Sequence, residues 1–341
     1  MAVDLFHWRS MTEAINKIQA PPSFLLDKVF TQRRQALAED IDVDIVIGGK
    51  NLAPFVSPIE EGVVVDKLGR KMQSIKAPRI RLKKELSAPE LMTVRAPGAE
   101  LYVPGGGNID AYKAQKIGVE LQDLLSQITR TKEWMAAQAL QGKLTVAQEN
   151  LAFEIDFLLP DDHKVVLTST DLWSDTTNSN PIKNTRTWKA LIANATGFTA
   201  DIAICGSSVA QALIDHPKVQ AVIKTTSGIA AGALSLEQAG NYVGRLAGVD
   251  IFEYSAEYTD VSGVAQKFIP DNSFILIASA GPFRLYHALI LDLDTGASVA
   301  SPFFSKSWIE KDPSVMWILA ESRPLPVPHW PECMVFATVL A

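Results

Sequence analysis

The feature that most constrains this chain is a very long amphipathic helix predicted over residues 108–141. Its apolar stripe is formed by Ile117, Leu121, Leu124, Leu125 and Ile128. This spacing places the side chains on one helix face, because residues three or four positions apart lie above one another. Asn108 suits the N-cap, and Gly142 suits the position after the last turn. Such a helix is about 50 Å long, and most compact enzyme domains have no place for it.

The segment from residue 48 to residue 100 is rich in proline and in basic residues. A strand is predicted to start at Val63, to turn at Leu68 and Gly69, and to return through residues 75–86. This segment has too little continuous apolar surface for a core of its own. We therefore expect an extended β-hairpin that projects from the subunit and rests on another surface. The alternative is a solvated surface loop, since charged runs are usually exposed faces.

The rest of the chain predicts a mixed α+β fold. Alternating apolar residues from Leu151 to Phe157 indicate a strand with one buried face. From Phe198 onwards short apolar strands alternate with helical segments, and residues 315–319 and 334–339 indicate a return to strands. The first 47 residues suggest an extended arm with a little helix.

Composition narrows the class of protein. The chain has 341 residues and a formal net charge of −6, which is unfavourable for non-specific DNA binding. Cys205 and Cys333 are too few and too far apart for a disulfide framework or a zinc site, so we expect two packed thiols. The sequence shows no secretory signal, and no apolar run approaches the roughly 20 residues of a membrane span.

Motifs that carry chemistry are missing from the sequence. The five histidines form no HExxH spacing, and neither a GxSxG elbow nor a CxxC pair occurs. The glycine run at 105–107 lacks the lysine and serine of a phosphate loop. Asp161, Asp162 and His163 are explained by a polar turn after Pro160. We therefore expect no enzyme activity, no catalytic residue, no cofactor and no metal.

Four stretches resemble the major capsid proteins of tailed bacteriophages of the lambda type, the capsid protein E family. They are NLAPFVSPIEEGVVV at 51–65, RTKEWMAAQALQGKLTV at 130–146, QKFIPDNSFILIAS at 266–279 and the closing segment at 317–334. They occur in the family's order. The resemblance implies the HK97-like capsid fold, an α+β fold with a long spine helix and with peripheral and axial domains.

Domain boundaries follow from combining this resemblance with the patterns above. The expected parts are an N-terminal arm at 1–47, the extended loop at 48–100, a peripheral domain at 101–197 with its spine helix at 108–141, an axial domain at 198–300 and a return to the peripheral domain at 301–341.

The resemblance also implies a function and partners. Copies of the chain would assemble into hexamers and pentamers of an icosahedral shell around double-stranded DNA, in the virion and, during assembly, in the host cytoplasm. Scaffold, portal and possibly decoration proteins are the further partners, and no membrane is involved. We expect the basic residues of the extended loop to contact carboxylates of a neighbouring subunit; they are Lys67, Arg70, Lys71, Lys76, Arg79 and Arg81.

Three other interpretations remain open at this stage. The first is an encapsulin-like cellular compartment with the same fold, which encloses protein cargo. The second is an α/β enzyme that uses residues 198–300 as a binding domain. The third is a minor tail or tube protein.

Overall fold

The computed structural model describes residues 8–18, 23–47, 69–87, 109–148, 151–226, 242–260, 262–293, 297–299, 301–312 and 314–341. The chain divides into two compact units. The first comprises residues 1–41, 74–133 and 285–326, and the second comprises residues 42–73, 134–284 and 327–341. Neither unit is a continuous segment, so each depends on contacts between residues that are distant in sequence.

The described helices and strands are as follows. The helices are α1 (Trp8–Lys17), α2 (Phe24–Lys28), α3 (Ile109–Leu140), α4 (Pro181–Thr196), α5 (Ser207–Asp215) and α6 (Pro217–Thr226). The strands are β1 (Gln32–Gln35), β2 (Asp40–Ile47), β3 (Gly69–Lys76), β4 (Ile80–Ser87), β5 (Lys143–Gln148), β6 (Leu151–Asp156), β7 (Lys164–Val166), β8 (Ile202–Cys205), β9 (Tyr242–Leu246), β10 (Val249–Glu253), β11 (Glu257–Thr259), β12 (Ala265–Lys267), β13 (Ser273–Ile277), β14 (Phe283–His287), β15 (Ile290–Asp292), β16 (Ala297–Val299), β17 (Phe304–Glu310), β18 (Val315–Ser322), β19 (Pro324–Pro328) and β20 (Met334–Thr338).

The long helix is confirmed as α3, which has 32 residues. The five side chains of the predicted stripe are all buried, with exposures of 4% or less. They pack with Met11 and Ile15 of α1, with Leu86 of β4 and with residues of β18. The apolar stripe is therefore the core of the first unit, as expected for a helix that buries one face.

The first unit's main sheet has the order β17–β18–β4, and its pairs are antiparallel. Alternation along β18 separates its two faces. Met316, Ile318 and Ala320 join the cluster with α3, whereas Leu319 packs with Ile290 and Phe304. Two smaller sheets have the orders β1–β14–β19 and β15–β16.

The described part of the basic segment forms β3 and β4, each with a partner elsewhere in the chain, and the predicted hairpin stays a prediction. β3 pairs with β2, and β4 pairs with β18 from Val315↔Ser87 to Ser322↔Ile80. The two strands of this segment therefore have other partners than each other, and β4 is part of the first unit's core. The reason is the alternation in β4, which places Leu82 and Leu86 against the cluster around α3. The predicted start of the hairpin, at residues 63–68, lies outside the described residues.

The second unit is built on a six-stranded sheet with the order β7–β20–β13–β8–β10–β9. All five residues of the central strand β13 are buried, and the four at 274–277 are apolar. Trp173 and Trp188 pack against each other and against Phe274 of this strand, with ring centroids 5.1–6.0 Å apart. The helix α4 is capped at its N-terminus by Asn180, whose side chain accepts a hydrogen bond from Lys183 N. Gly197, with a φ of 80°, caps its C-terminus.

A β-hairpin of β5 and β6 follows α3 directly. Gly142 joins the helix to β5 with a φ of 90°, a backbone conformation that favours glycine. The strand predicted from Leu151 is confirmed as β6. None of the helices in the described ranges has a stretch long and apolar enough to traverse a lipid bilayer.

Two charged residues of α3 are buried beside the apolar stripe. Glu133 is 4% exposed, and its carboxylate accepts hydrogen bonds from Leu25 N at 2.7 Å and Leu26 N at 3.2 Å. It thereby holds the first turn of α2 in place. Lys132 is 3% exposed; its Nζ donates to the Pro302 carbonyl at 3.0 Å and lies 3.5 Å from the Phe303 ring centroid.

Burial lowers the pKa of Lys132 well below its usual value, and the nearby positive charge of Arg33 lowers that pKa further. The folded chain therefore binds this proton less tightly than the unfolded chain does, in which a lysine keeps its proton up to a pH of about 10.4. Folding at neutral pH must expel that proton or bury the charge, so Lys132 reduces stability there.

We predict that Lys132→Met raises the free energy of unfolding at pH 7 by about 1 kcal/mol, because it removes this cost while filling the same space. The wild-type protein should gain stability as the pH rises towards about 10, and the variant should lack that gain. Urea unfolding at pH 7 and pH 9.5 measures both effects. Lys17→Met, at a lysine whose side chain is 73% exposed, is the control and should change little. A variant less stable than wild type at both pH values would contradict the prediction.

Candidate assembly surface

The six basic residues predicted as an inter-subunit contact fall into two groups. Lys67 lies outside the described residues, and Arg70 and Lys71 belong to β3. The other three bind carboxylates of their own chain; they are Lys76, Arg79 and Arg81. The prediction that all six contact a neighbouring subunit stays a prediction.

Glu321 is the centre of the contacts made by this second group. It lies on β18 and is fully buried. Arg79 Nε donates to Glu321 Oε1 at 2.5 Å, and Arg79 Nη2 donates to Glu321 Oε2 at 2.8 Å. Arg81 is the cross-strand partner of Glu321, and its Nε lies 3.5 Å from Oε2. A guanidinium that binds both oxygens of a carboxylate forms a strong and directional pair.

Two further carboxylates extend this arrangement. Asp292 Oδ2 lies 2.8 Å from Lys306 Nζ and 3.9 Å from Arg81 Nη2. Glu39 lies 2.7 Å from Arg323 Nη1 and 3.6 Å from Lys76 Nζ. We call this set the charge cluster; it consists of Glu39, Lys76, Arg79, Arg81, Asp292, Lys306, Glu321 and Arg323.

The charge cluster has five cations and three carboxylates, so it retains positive charge. For two of its members, Arg79 and Glu39, the pKa is shifted towards the charged form. The hydrogen bond to Glu321 raises the pKa of Arg79, and the hydrogen bond from Arg323 lowers the pKa of Glu39. The side chains of Arg79 and Arg81 remain 37% and 40% exposed. The guanidinium groups of Arg79 and Arg81 are therefore partly exposed, and their remaining N–H groups are available to donate to a further carboxylate.

The cysteines and the histidines His163 and His287, residue types that often carry catalysis, are buried in the described part of the chain. Both thiols are buried, as expected, and burial raises the pKa of Cys333 to about 12. His163 Nδ1 lies 2.8 Å from the Met334 carbonyl, so this histidine serves the turn predicted after Pro160. Burial lowers the pKa of His287 to about 3. Among the residues that the structure describes, no three His, Cys, Asp or Glu side chains are grouped to hold a metal ion.

An open cleft of about 590 Å³ lies between α4 and α6. Its polar lining is cationic or neutral, and includes Lys183, Arg186 and Lys218. Lys218 is already bound to the backbone carbonyls of residues 177–179. Among the described residues, the side chains of this lining include no carboxylate, histidine or cysteine.

Sequence reasoning missed the role of Glu321. Its neighbours in sequence are Ala320 and Ser322, and nothing in this local pattern marks a buried carboxylate. The only available signal was indirect. A carboxylate on a strand whose other residues are mostly apolar should bind a cation from another part of the chain.

We predict that Glu321→Ala lowers the free energy of unfolding by about 2–3 kcal/mol, because Arg79 and Arg81 lose their shared carboxylate. Chemical unfolding of the purified chain measures this. The matched control is Glu154→Ala, which removes a carboxylate from an exposed pair with Lys143 and should cost at most about 0.5 kcal/mol. Equal effects of the two substitutions would show that burial of the charge cluster contributes no stability.

Comparisons with known proteins place the chain in a family. The model of the family described as phage major capsid protein E matches residues 7–339. No curated protein matches the chain. Solved structures share the fold. The putative capsid protein of a prophage of E. coli CFT073 is 18% identical, with a TM-score of 0.69, and the match covers 97% of this chain and 98% of that one.

Two further structures agree with this fold. A phage-related protein from Bordetella bronchiseptica RB50 is 15% identical over 96% of this chain and 95% of its own, with a TM-score of 0.57. The mature capsid of bacteriophage PhiM1 is 12% identical over 93% of this chain and 87% of its own, with a TM-score of 0.52. The predicted HK97-like capsid fold is therefore confirmed. Since the family model spans nearly the whole sequence, the chain belongs to the phage major capsid protein E family.

Proposed function

We propose that many copies of this chain form the closed icosahedral shell of a tailed phage, as hexamers and pentamers around double-stranded DNA. The observation that carries the proposal is the match of the capsid family model to residues 7–339. The net charge of −6 supports it, because a mildly acidic wall can enclose DNA without binding it tightly. The chain then acts as a structural protein, without catalysis.

The proposal assigns a role to each part of the chain. Residues 1–47 are the N-terminal arm, and residues 48–100 are the extended loop. Residues 101–197 and 301–341 form the peripheral domain, and residues 198–300 form the axial domain near the capsomer centre. The 32-residue helix α3 supports the assignment of the peripheral domain, since it takes the place of the family's spine helix.

The partners of the chain follow from the same proposal. Scaffold, portal and possibly decoration proteins join it during assembly in the host cytoplasm, and the finished shell is part of the virion. Neighbouring subunits supply carboxylates to the basic residues predicted as contacts. Lys76, Arg79 and Arg81 also bind their own chain, so only their remaining N–H donors would serve a neighbour.

Electron microscopy of the overexpressed chain tests this function. We expect shells or ring-shaped capsomers from the wild-type protein. The double variant Arg70→Glu and Lys71→Glu should keep the folded content of the wild type and should lose most of the assembled particles, because it reverses charge at the predicted contact. Sedimentation measures the assembled fraction, and circular dichroism checks the fold.

The matched control is the double variant Lys183→Glu and Arg186→Glu, which makes the same change in charge on the exposed face of α4. It should assemble as the wild type does. If both double variants lose assembly equally, net charge decides the outcome and the contact prediction is wrong. A wild-type chain that stays monomeric under all assembly conditions would overturn the proposed function. Native particles filled with protein cargo in place of DNA would point to an encapsulin-like compartment.

A further inference from the structure

Two tryptophans lie side by side on an exposed part of the first unit's main sheet. Trp308 of β17 is directly opposite Trp317 of β18. Their rings are stacked, with centroids 6.3 Å apart and an interplanar angle of 23°. Trp308 is 38% exposed. The pair lies close to the turn between β17 and β18, because β17 ends at Glu310 and β18 begins at Val315.

The side chains that bury this face of the sheet do not extend as far as Trp308, which is exposed. Further along the same face, Leu319 and Phe304 are buried in a cluster with Ile290, and Trp8 packs against that cluster. The opposite face of the sheet is covered by the cluster around α3. The tryptophan pair therefore continues an apolar face from its buried part into an exposed one.

Charged residues of both signs surround the pair. Lys83 Nζ lies 4.3 Å from the Trp317 ring centroid. Glu310 accepts a hydrogen bond from Trp317 Nε1 at 2.7 Å, and Glu85 is the cross-strand partner of Trp317 on β4. We call this set the tryptophan patch; it consists of Lys83, Glu85, Trp308, Glu310 and Trp317. The three charged residues are exposed.

The chemistry of the tryptophan patch identifies the kind of partner. Stacked aromatic rings beside a cation are typical of the centre of protein interfaces. A second lysine, Lys306, lies 5.7 Å from the Trp308 ring centroid, but its charge is already paired with Asp292. The two carboxylates beside the rings disfavour a nucleic acid, whose phosphates they would repel. A surface that carries both signs of charge can bind a copy of itself, because rotation brings the lysine of one copy to a carboxylate of the other.

We propose that the tryptophan patch is a contact between copies of this chain, in which it binds the same patch of a second copy related by a two-fold rotation axis. Lys83 of each copy then pairs with Glu85 of the other, and the tryptophans of the two copies are buried against each other. This inference rests on the proposed function, since it names a surface through which the shell assembles.

The first experiment measures the contribution of the rings. Trp308→Ser in the full-length chain should raise the protein concentration for half-maximal assembly at least about tenfold, as for a central interface tryptophan. Val166→Ser, at a residue of the second unit that is 67% exposed, is the control and should leave that concentration unchanged. Thermal unfolding of the unassembled protein separates lost folding from lost association.

The second experiment tests the pairing of Lys83 with Glu85 by exchanging the charges. Lys83→Glu alone and Glu85→Lys alone should each weaken assembly, because like charges then meet across the contact. The double variant Lys83→Glu with Glu85→Lys should restore assembly to near the wild-type level.

The exposure of Trp308 to solvent gives an independent measurement of the contact. Acrylamide quenching should fall on assembly in the wild type, and this change should be smaller in Trp308→Phe.

The outcomes distinguish a failure of the tryptophan contact from a failure of the proposed shell function. Wild-type assembly together with normal assembly of Trp308→Ser and of both single charge variants would overturn the contact and leave the shell intact. Single variants that fail to assemble without rescue by the double variant would overturn the self-pairing and point to a different partner surface. A wild-type chain that never assembles would instead remove the function on which the contact rests.

Discussion

Burial of the apolar stripe of α3 is the interaction on which the rest of the first unit depends. A helix of 32 residues has too few local contacts to be stable alone, and most of its stability comes from packing one face. The residues that cover this face come from α1, β4 and β18, so the beginning, the middle and the end of the chain meet on it. Loss of any one segment would expose apolar surface on the others, at a cost of about 25 cal/mol for each Å².

Glu321 adds a second constraint of a different kind. A fully buried carboxylate is tolerated only where cations and hydrogen bonds replace water, and Arg79 and Arg81 provide them. The ion pairs of Arg79 and Arg81 with Glu321 therefore fix the position of β4 beside β18. They also explain how residues that look like a free projection in the sequence form part of a subunit's own core. The positive charge left in the charge cluster remains consistent with a role between subunits.

Much of the fold could be predicted because some patterns are local. The stripe of α3, the alternation of β6 and the helix after β8 depend on residues within one or two turns of each other. Strand partners could not be predicted in the same way. The predicted return strand at 75–86 corresponds largely to β4, yet nothing in its sequence indicates that its partner is β18. An isolated strand does not specify which of several apolar strands it will join.

By itself the sequence determined the long helix, the alternation of buried and exposed residues, the lack of catalytic motifs and, through four stretches in order, the capsid family. The tertiary structure alone decided which charges meet. It pairs Arg79 with Glu321 across more than 200 positions of the chain and stacks Trp308 on Trp317 at the end of a hairpin. The physical reason is that periodicity depends on the backbone of a single element, whereas ion pairs and exposed patches depend on the register between elements that are distant in sequence.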